Sequence, residues 1–192
     1  LVHGDENPLG PGFKEEEIQT PVDGQYPGRK QTIHAGSYVI VPDQAALRLT
    51  GSFTLQAWIY PTLPQKGLQG ILTKWSAAEE SGFGLFIDEG AALALWIGDR
   101  QGGVERLSSG VPLRAGQWYF VAGIYDAGPG TLSLHQEPSG LWPDRDSRAV
   151  TEKKTPIGSV GETGGPFLMA GYWDGRRSEK ERVVGLYNGK ID

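Results

Sequence analysis

Carboxylates, imidazoles and indoles are the side chains of this sequence best equipped for chemistry, and their spacing limits what chemistry that is. A glycoside hydrolase needs two carboxylates about 5 to 9.5 Å apart across the scissile bond. On a strand that means acidic residues at i and i+2 or i+4, facing one way. No stretch that reads as a strand interior holds such a pair: Asp88 and Glu89 are neighbours in a turn, and Glu15-Glu16-Glu17 and Glu79-Glu80 fall in an arm or a loop. Solvated surface is the simpler reading for these carboxylates. His3, His34 and His135 include no pair at zinc-ligand spacing. Cysteine is absent, which removes thiolate metal sites, disulfides and cysteine nucleophiles together. There is no Gly-x-Ser-x-Gly elbow, and no catalytic residue is assigned.

Two kinds of ligand remain. Calcium takes carboxylate and main-chain oxygens at loop ends, and Asp43, Asp174 and Asp192 flank strand ends, so they are the candidate ligands. No loop has the alternating Asp/Asn spacing with a glycine of a dedicated calcium loop, and turn chemistry competes for the same residues. An indole face can stack on a sugar ring, and six tryptophans are available. Trp75, Trp96, Trp142 and Trp173 are the candidates for such a surface, whereas Trp58 and Trp118, placed mid-strand, are read as packing residues. Aromatics of this kind equally suit a protein interface.

Nine short apolar runs separated by turn signals must position these residues. They are Tyr38 to Val41, Phe53 to Tyr60, Gly70 to Trp75, Phe83 to Asp88, Ala92 to Gly98, Trp118 to Asp126, Thr131 to Gln136, Phe167 to Trp173 and Val183 to Tyr187. Period-two alternation sends Phe53, Leu55, Ala57 and Ile59 to one face and Thr54, Gln56, Trp58 and Tyr60 to the other. Two stacked sheets would bury the aliphatic faces. Trp58, Phe86, Trp96 and one of Tyr119 or Tyr125 are then expected on an outer surface that is partly covered or binds something. Asp88-Glu89-Gly90, Asp126 to Gly130 and Asp174-Gly175 supply tight turns, so an antiparallel sandwich is expected. Glu137 to Gly165 reads as a loop excursion, and no internal repeat is present.

Composition agrees. In 192 residues there are 29 Gly and 13 Pro, too many turn formers for a helical bundle. The formal charge of −5 leaves no basic excess for nucleic acid. No apolar run approaches the length that spans a bilayer, and LVHGDENPLG is not a signal peptide. Residues 1–36 form an irregular arm with one candidate helix, Phe13 to Ile18, and residues 37–192 form the sandwich. With no initial Met and a stop at Lys190-Ile191-Asp192, the sequence reads as a piece of a longer chain. The lack of cysteine fits a reducing compartment, so a cytoplasmic location is expected.

Three strings, Ser52-Phe53-Thr54-Leu55-Gln56-Ala57-Trp58-Ile59, Gly116 to Asp126 and Gly189-Lys190-Ile191-Asp192, resemble the concanavalin A-like jelly roll of laminin-G-type domains. In that family the last string leads into one more strand, which this sequence lacks. The arm is similar, through LVHGDENPLGPGFKEE, Gly24 to Arg29 and Gly36 to Val39, to the large subunit of the N,N-dimethylformamidase family. That resemblance implies a jelly-roll domain near the start of a much longer iron-dependent amidohydrolase, with the iron held by two tyrosines and a glutamate in a downstream domain. No residue here carries over as an iron ligand, so no cofactor beyond the candidate calcium is expected. On the resemblance, His3, Asp5 and Asn7 are expected at an interdomain contact; the competing reading is a loop that caps its own backbone. The expected role is non-catalytic, packing on other domains or subunits of a parent enzyme. The alternative is a carbohydrate-binding laminin-G-like module.

Overall fold

The computed structural model describes residues 38–140, 145–175 and 183–192, together with residues 20–21 and 30–31. The candidate helix Phe13 to Ile18 and most of the arm lie outside the described residues. Within the arm, β1 (Thr20–Pro21) and β2 (Lys30–Gln31) pair antiparallel. The remaining strands are β3 (Val39–Val41), β4 (Phe53–Pro61), β5 (Gln69–Ser76), β6 (Ser81–Ile87), β7 (Ala92–Gly98) and β8 (Val104–Pro112). They continue with β9 (Tyr119–Asp126), β10 (Thr131–Pro138), β11 (Ala149–Lys154), β12 (Phe167–Met169), β13 (Tyr172–Trp173), β14 (Val183–Val184) and β15 (Gly189–Ile191).

Two sheets stack as a jelly-roll sandwich. The smaller runs β11-β10-β9-β4-β15, and the larger runs β14-β13-β5-β6-β7-β8 with β12 joining β3 to β5. Pairing is antiparallel except between β13 and β5. The turns form as their residues dictate: the Asp88 carboxylate accepts the Gly90 and Ala92 N–H groups, both at 2.9 Å, closing the β6–β7 hairpin.

The core lies between the sheets. Phe53, Leu55 and Ile59 of β4 meet Phe83, Leu85, Leu93 and Leu95 of β6 and β7, each fully buried side chain of this size contributing about 1.5–3 kcal/mol. Gly123 of β9 lets the layers close, since a Cβ there would lie 3.0 Å from both Leu85 Cδ1 and Leu95 Cδ1. Gln136 ties the layers with polar bonds: its Oε1 accepts the Ser109 hydroxyl at 3.0 Å and its Nε2 donates to the Val111 and Ser147 carbonyls at 3.0 and 2.7 Å.

Several expectations are corrected. Tyr119 and Tyr125 face the core, not the outer surface, and both are fully buried. β9 is apolar at nearly every position, so alternation could not orient it. The two hydroxyls decide the matter by finding buried partners: Tyr119 bonds Ser147 at 2.9 Å and Tyr125 donates to the Ile157 carbonyl at 2.7 Å. Burial raises the pKa of Tyr125. Phe86 does lie on the outer face, but its own neighbours cover it completely. The excursion after Glu137 contains β11, paired along β10. Phe167 to Trp173 breaks into β12 and β13 at Ala170, whose φ of 67° interrupts the strand. Gly189–Ile191 is itself a strand, paired with β4 at the margin of the smaller sheet.

Candidate functional site

The larger sheet builds one aromatic cluster on its outer face. Trp75 of β5 is 2% exposed and stands edge-on to Trp96 of β7, ring centres 5.7 Å apart, and to Phe86 of β6 at 6.5 Å. Phe86 and Trp96 lie 4.5 Å apart. From the opposite neighbour strand, β8, the Arg106 guanidinium sits 4.7 Å from the Trp96 ring centre. The Trp96 indole is therefore held between Phe86 and Arg106, and Arg106 is held in turn by Glu80 at 2.6 Å.

Beside this cluster is a cavity of about 290 Å³, lined by Leu68, Glu89, Ala94, Trp96, Arg106 and Ser108 among others. Its polar rim is already partly engaged, because Asp88 accepts the Ser108 hydroxyl as well as its two turn amides. Burial, with a smaller contribution from Glu89, raises the pKa of Tyr172, whose ring packs 5.8 Å from Phe86.

The smaller sheet carries a second and different aromatic face. Trp58 and Phe120 are cross-strand partners with rings 5.6 Å apart, and Tyr60 lies 5.4 Å from Trp118. Trp58 is 43% exposed and Val150 57%. Trp58 thus lies on the outer surface, as alternation along β4 expected, partly open and partly packed on Phe120. Charges lie within this face: Glu137 stands directly across from Phe120 and pairs with Arg148, Glu152 stands across from Ser133, and the Lys190 ammonium lies 5.5 Å from the Tyr60 ring centre.

The sequence candidates are not all brought together. Trp75 and Trp96 meet in one cluster. Trp173 lies elsewhere, 6% exposed, with its ring against Gly165, where a Cβ would approach to 2.3 Å. Trp142, His3, Asp5 and Asn7 lie outside the described residues. Asp43 is occupied by cations: Lys74 Nζ at 2.7 Å and Arg48 at 2.5 Å. The Arg48 hydrogen bond first, and the Lys74 bond second, lower its pKa to about 2. Asp174 follows β13, and Asp192 exchanges main-chain hydrogen bonds with Trp58. Among the described residues no group of three or more His, Cys, Asp or Glu is placed to hold a metal. The fully buried phenols, Tyr119 and Tyr125, are engaged in core hydrogen bonds and do not fit an iron site.

Sequence reasoning missed Arg106 and the Lys74–Asp43 pair. Lys74 gave one signal, a cation inside an otherwise apolar strand. Arg106 gave none, because β8 itself was not recognised. Among the described residues no helix is long and apolar enough to cross a membrane.

Two stacked, largely antiparallel sheets define a jelly-roll class of domain, and residues 34–136, more than half of the chain, match the family model described as the concanavalin A-like lectin/glucanases superfamily. The chain belongs to that superfamily. Over its whole length it is also similar to the N,N-dimethylformamidase beta subunit of Paracoccus aminophilus, at 35% identity over 202 residues, and to that of an Alcaligenes species, at 36% over 203. It spans 26% of the length of each of these relatives. The LG1-3 region of the laminin alpha2 chain shares the fold, with a TM-score of 0.57 at 12% identity over 80% of this chain and 28% of that one.

Proposed function

We propose that this chain is a non-catalytic jelly-roll domain of a dimethylformamidase-like large subunit, where it serves assembly by packing against other domains or subunits. The observation that carries this is the end-to-end similarity to about a quarter of two dimethylformamidase beta subunits. Trp58, 43% exposed on the smaller sheet and packed on Phe120, supports it, since tryptophan is enriched at protein interfaces. Amide hydrolysis, and the iron that the resemblance implies, are assigned to the parent outside residues 1–192. The test is to assay the purified chain with dimethylformamide in the presence of iron. No turnover is expected; hydrolysis by these residues alone would overturn the proposal.

The carbohydrate-binding alternative is favoured by one observation, the cavity where the Trp96 indole meets Arg106, Glu89 and Ser108. Against it, the candidate indoles present few open faces: Trp75 and Trp173 are buried, and Trp96 is flanked by Phe86 and Arg106. Calorimetry against a glycan panel, with and without calcium, separates the two readings. Saturable heat abolished by Arg106→Ala would favour the sugar site.

A further inference from the structure

One face of the β5–β6 hairpin changes character along its length. In register, Leu72 stands across from Leu85, Lys74 from Phe83 and Ser76 from Ser81. Period-two alternation puts all six side chains on the same side, that of the core residues Leu72, Phe83 and Leu85. The apolar core thus gives way to hydroxyls at the hairpin's end, and two other segments close over them. Trp173 of β13 is the parallel partner of Ser76, and its carbonyl accepts the Ala77 N–H at 3.2 Å. A Cβ on Gly175, just after β13, would lie 2.6 Å from the Ser76 hydroxyl oxygen. The loop before β12 lies against Ser81 and Gly82: a Cβ on Gly161 would strike the Ser81 hydroxyl, and one on Gly82 would come within 2.9 Å of the Thr163 methyl. Ser76, Ser81 and Thr163 are at most 2% exposed.

Four buried side-chain atoms of this region, Ser76 Oγ, Ser81 Oγ, Thr163 Oγ1 and Trp173 Nε1, have no hydrogen-bond partner in the protein, and no other buried side-chain polar atom among the described residues lacks one. Native interiors leave few polar groups unpaired, and those that the protein does not pair are served by ordered water or an ion. The chemistry of the four atoms chooses between these. An indole N–H only donates, so the occupant accepts there, which excludes a cation. An anion would find the buried ammonium of this region, Lys74, already paired with Asp43 at 2.7 Å, and an uncompensated charge is costly to bury. Hydroxyls both donate and accept, as water does. We propose that Ser76, Ser81, Thr163 and Trp173 form a binding site for ordered water, which accepts from the Trp173 indole and exchanges hydrogen bonds with the hydroxyls. The water fastens β13 and the loop before β12 to the β5–β6 hairpin, beside the bond from Lys74 to the Gly165 carbonyl. The site is independent of the assembly role and gives the polar edge of Trp173 a structural task.

Two measurements test the site. A high-resolution crystal structure of residues 1–192 should show a water about 2.7–3.2 Å from Trp173 Nε1 and from at least one of the three hydroxyl oxygens, with a B-factor like that of the surrounding side chains. In solution, the Trp173 indole proton, identified by its loss in Trp173→Phe, should give an NOE to water with the sign of a long-lived bound molecule. The crystal structure needs no substitution, so a Trp173→Phe chain that fails to fold leaves the test intact. All four atoms bonded to protein groups, or Trp173 Nε1 open to bulk solvent, would overturn the proposal. So would an anomalous peak at the site after a bromide soak, which would make the occupant an anion, or an indole–water NOE of the opposite sign.

Discussion

Lys74 Nζ lies 2.7 Å from Asp43 Oδ1 and 2.7 Å from the Gly165 carbonyl, so one lysine, 1% exposed, ties β5 to the segment after β3 and to the loop before β12. A buried ammonium is tolerated when it is paired and hydrogen-bonded. Asp43→Asn keeps the shape and removes the counter-charge. Breaking such a pair costs about 3 kcal/mol, the low end of the range for a buried charge that loses its partner, since Asp43 itself is partly solvated. Urea denaturation of the variant checks this, and an unchanged midpoint would show that the pair contributes nothing.

Asp43, held by Arg48 first and by Lys74 second, also sets a pH dependence. The folded carboxyl of Asp43 titrates near 2, below its ordinary value of 3.8. A depressed pKa gives stability that is fully present above about pH 4 and lost as pH falls towards 2. Thermal unfolding followed between pH 5 and 2 should show this loss in the wild type and a shallower slope in Asp43→Asn.

Calcium is expected to do little at Asp43, because both of its oxygens already face cations. Millimolar calcium should leave the unfolding temperature unchanged, and EDTA likewise. A reproducible rise with calcium would revive Asp174 and Asp192 as ligands.

Gly165 is a close-approach glycine. Its absent Cβ would fall 2.3 Å from Trp173 Cε3, in the buried indole itself. Gly165→Ala should destabilise by about 1–3 kcal/mol, the usual cost of overpacking, and should alter Trp173 fluorescence, measured with the other indoles as background.

Trp58→Glu combined with Val150→Glu should leave the sandwich folded, because both side chains are already substantially solvated and surface changes usually stay within about 0.5 kcal/mol per site. Circular dichroism of residues 1–192 checks the fold.

The fold was largely legible because β4, β6 and β7 alternate cleanly, and the expected bounds Ala92 to Gly98 match β7. β8 was not legible: its strand, Val104–Pro112, puts Ser109 at an inward position, made tolerable only by Gln136 from a distant strand. β11 was lost among charged residues for a similar reason, Glu152, Lys153 and Lys154 lying outside the core. β9 was recognised but could not be oriented, and the candidate surface depended on that orientation. With Tyr119 and Tyr125 turned inward, Phe120 and Ile124 turn outward, and Phe120 packs on Trp58, which lies on the outer surface as alternation along β4 expected.

The assembly role is tested most directly by sedimentation velocity of the full-length subunit with its partner subunits, beside a form lacking residues 1–192. Loss of the assembled species on removal of these residues is the expected result. Assembly of the shortened subunit to the same sedimentation coefficient per mass, with the same stability to dilution, would contradict it.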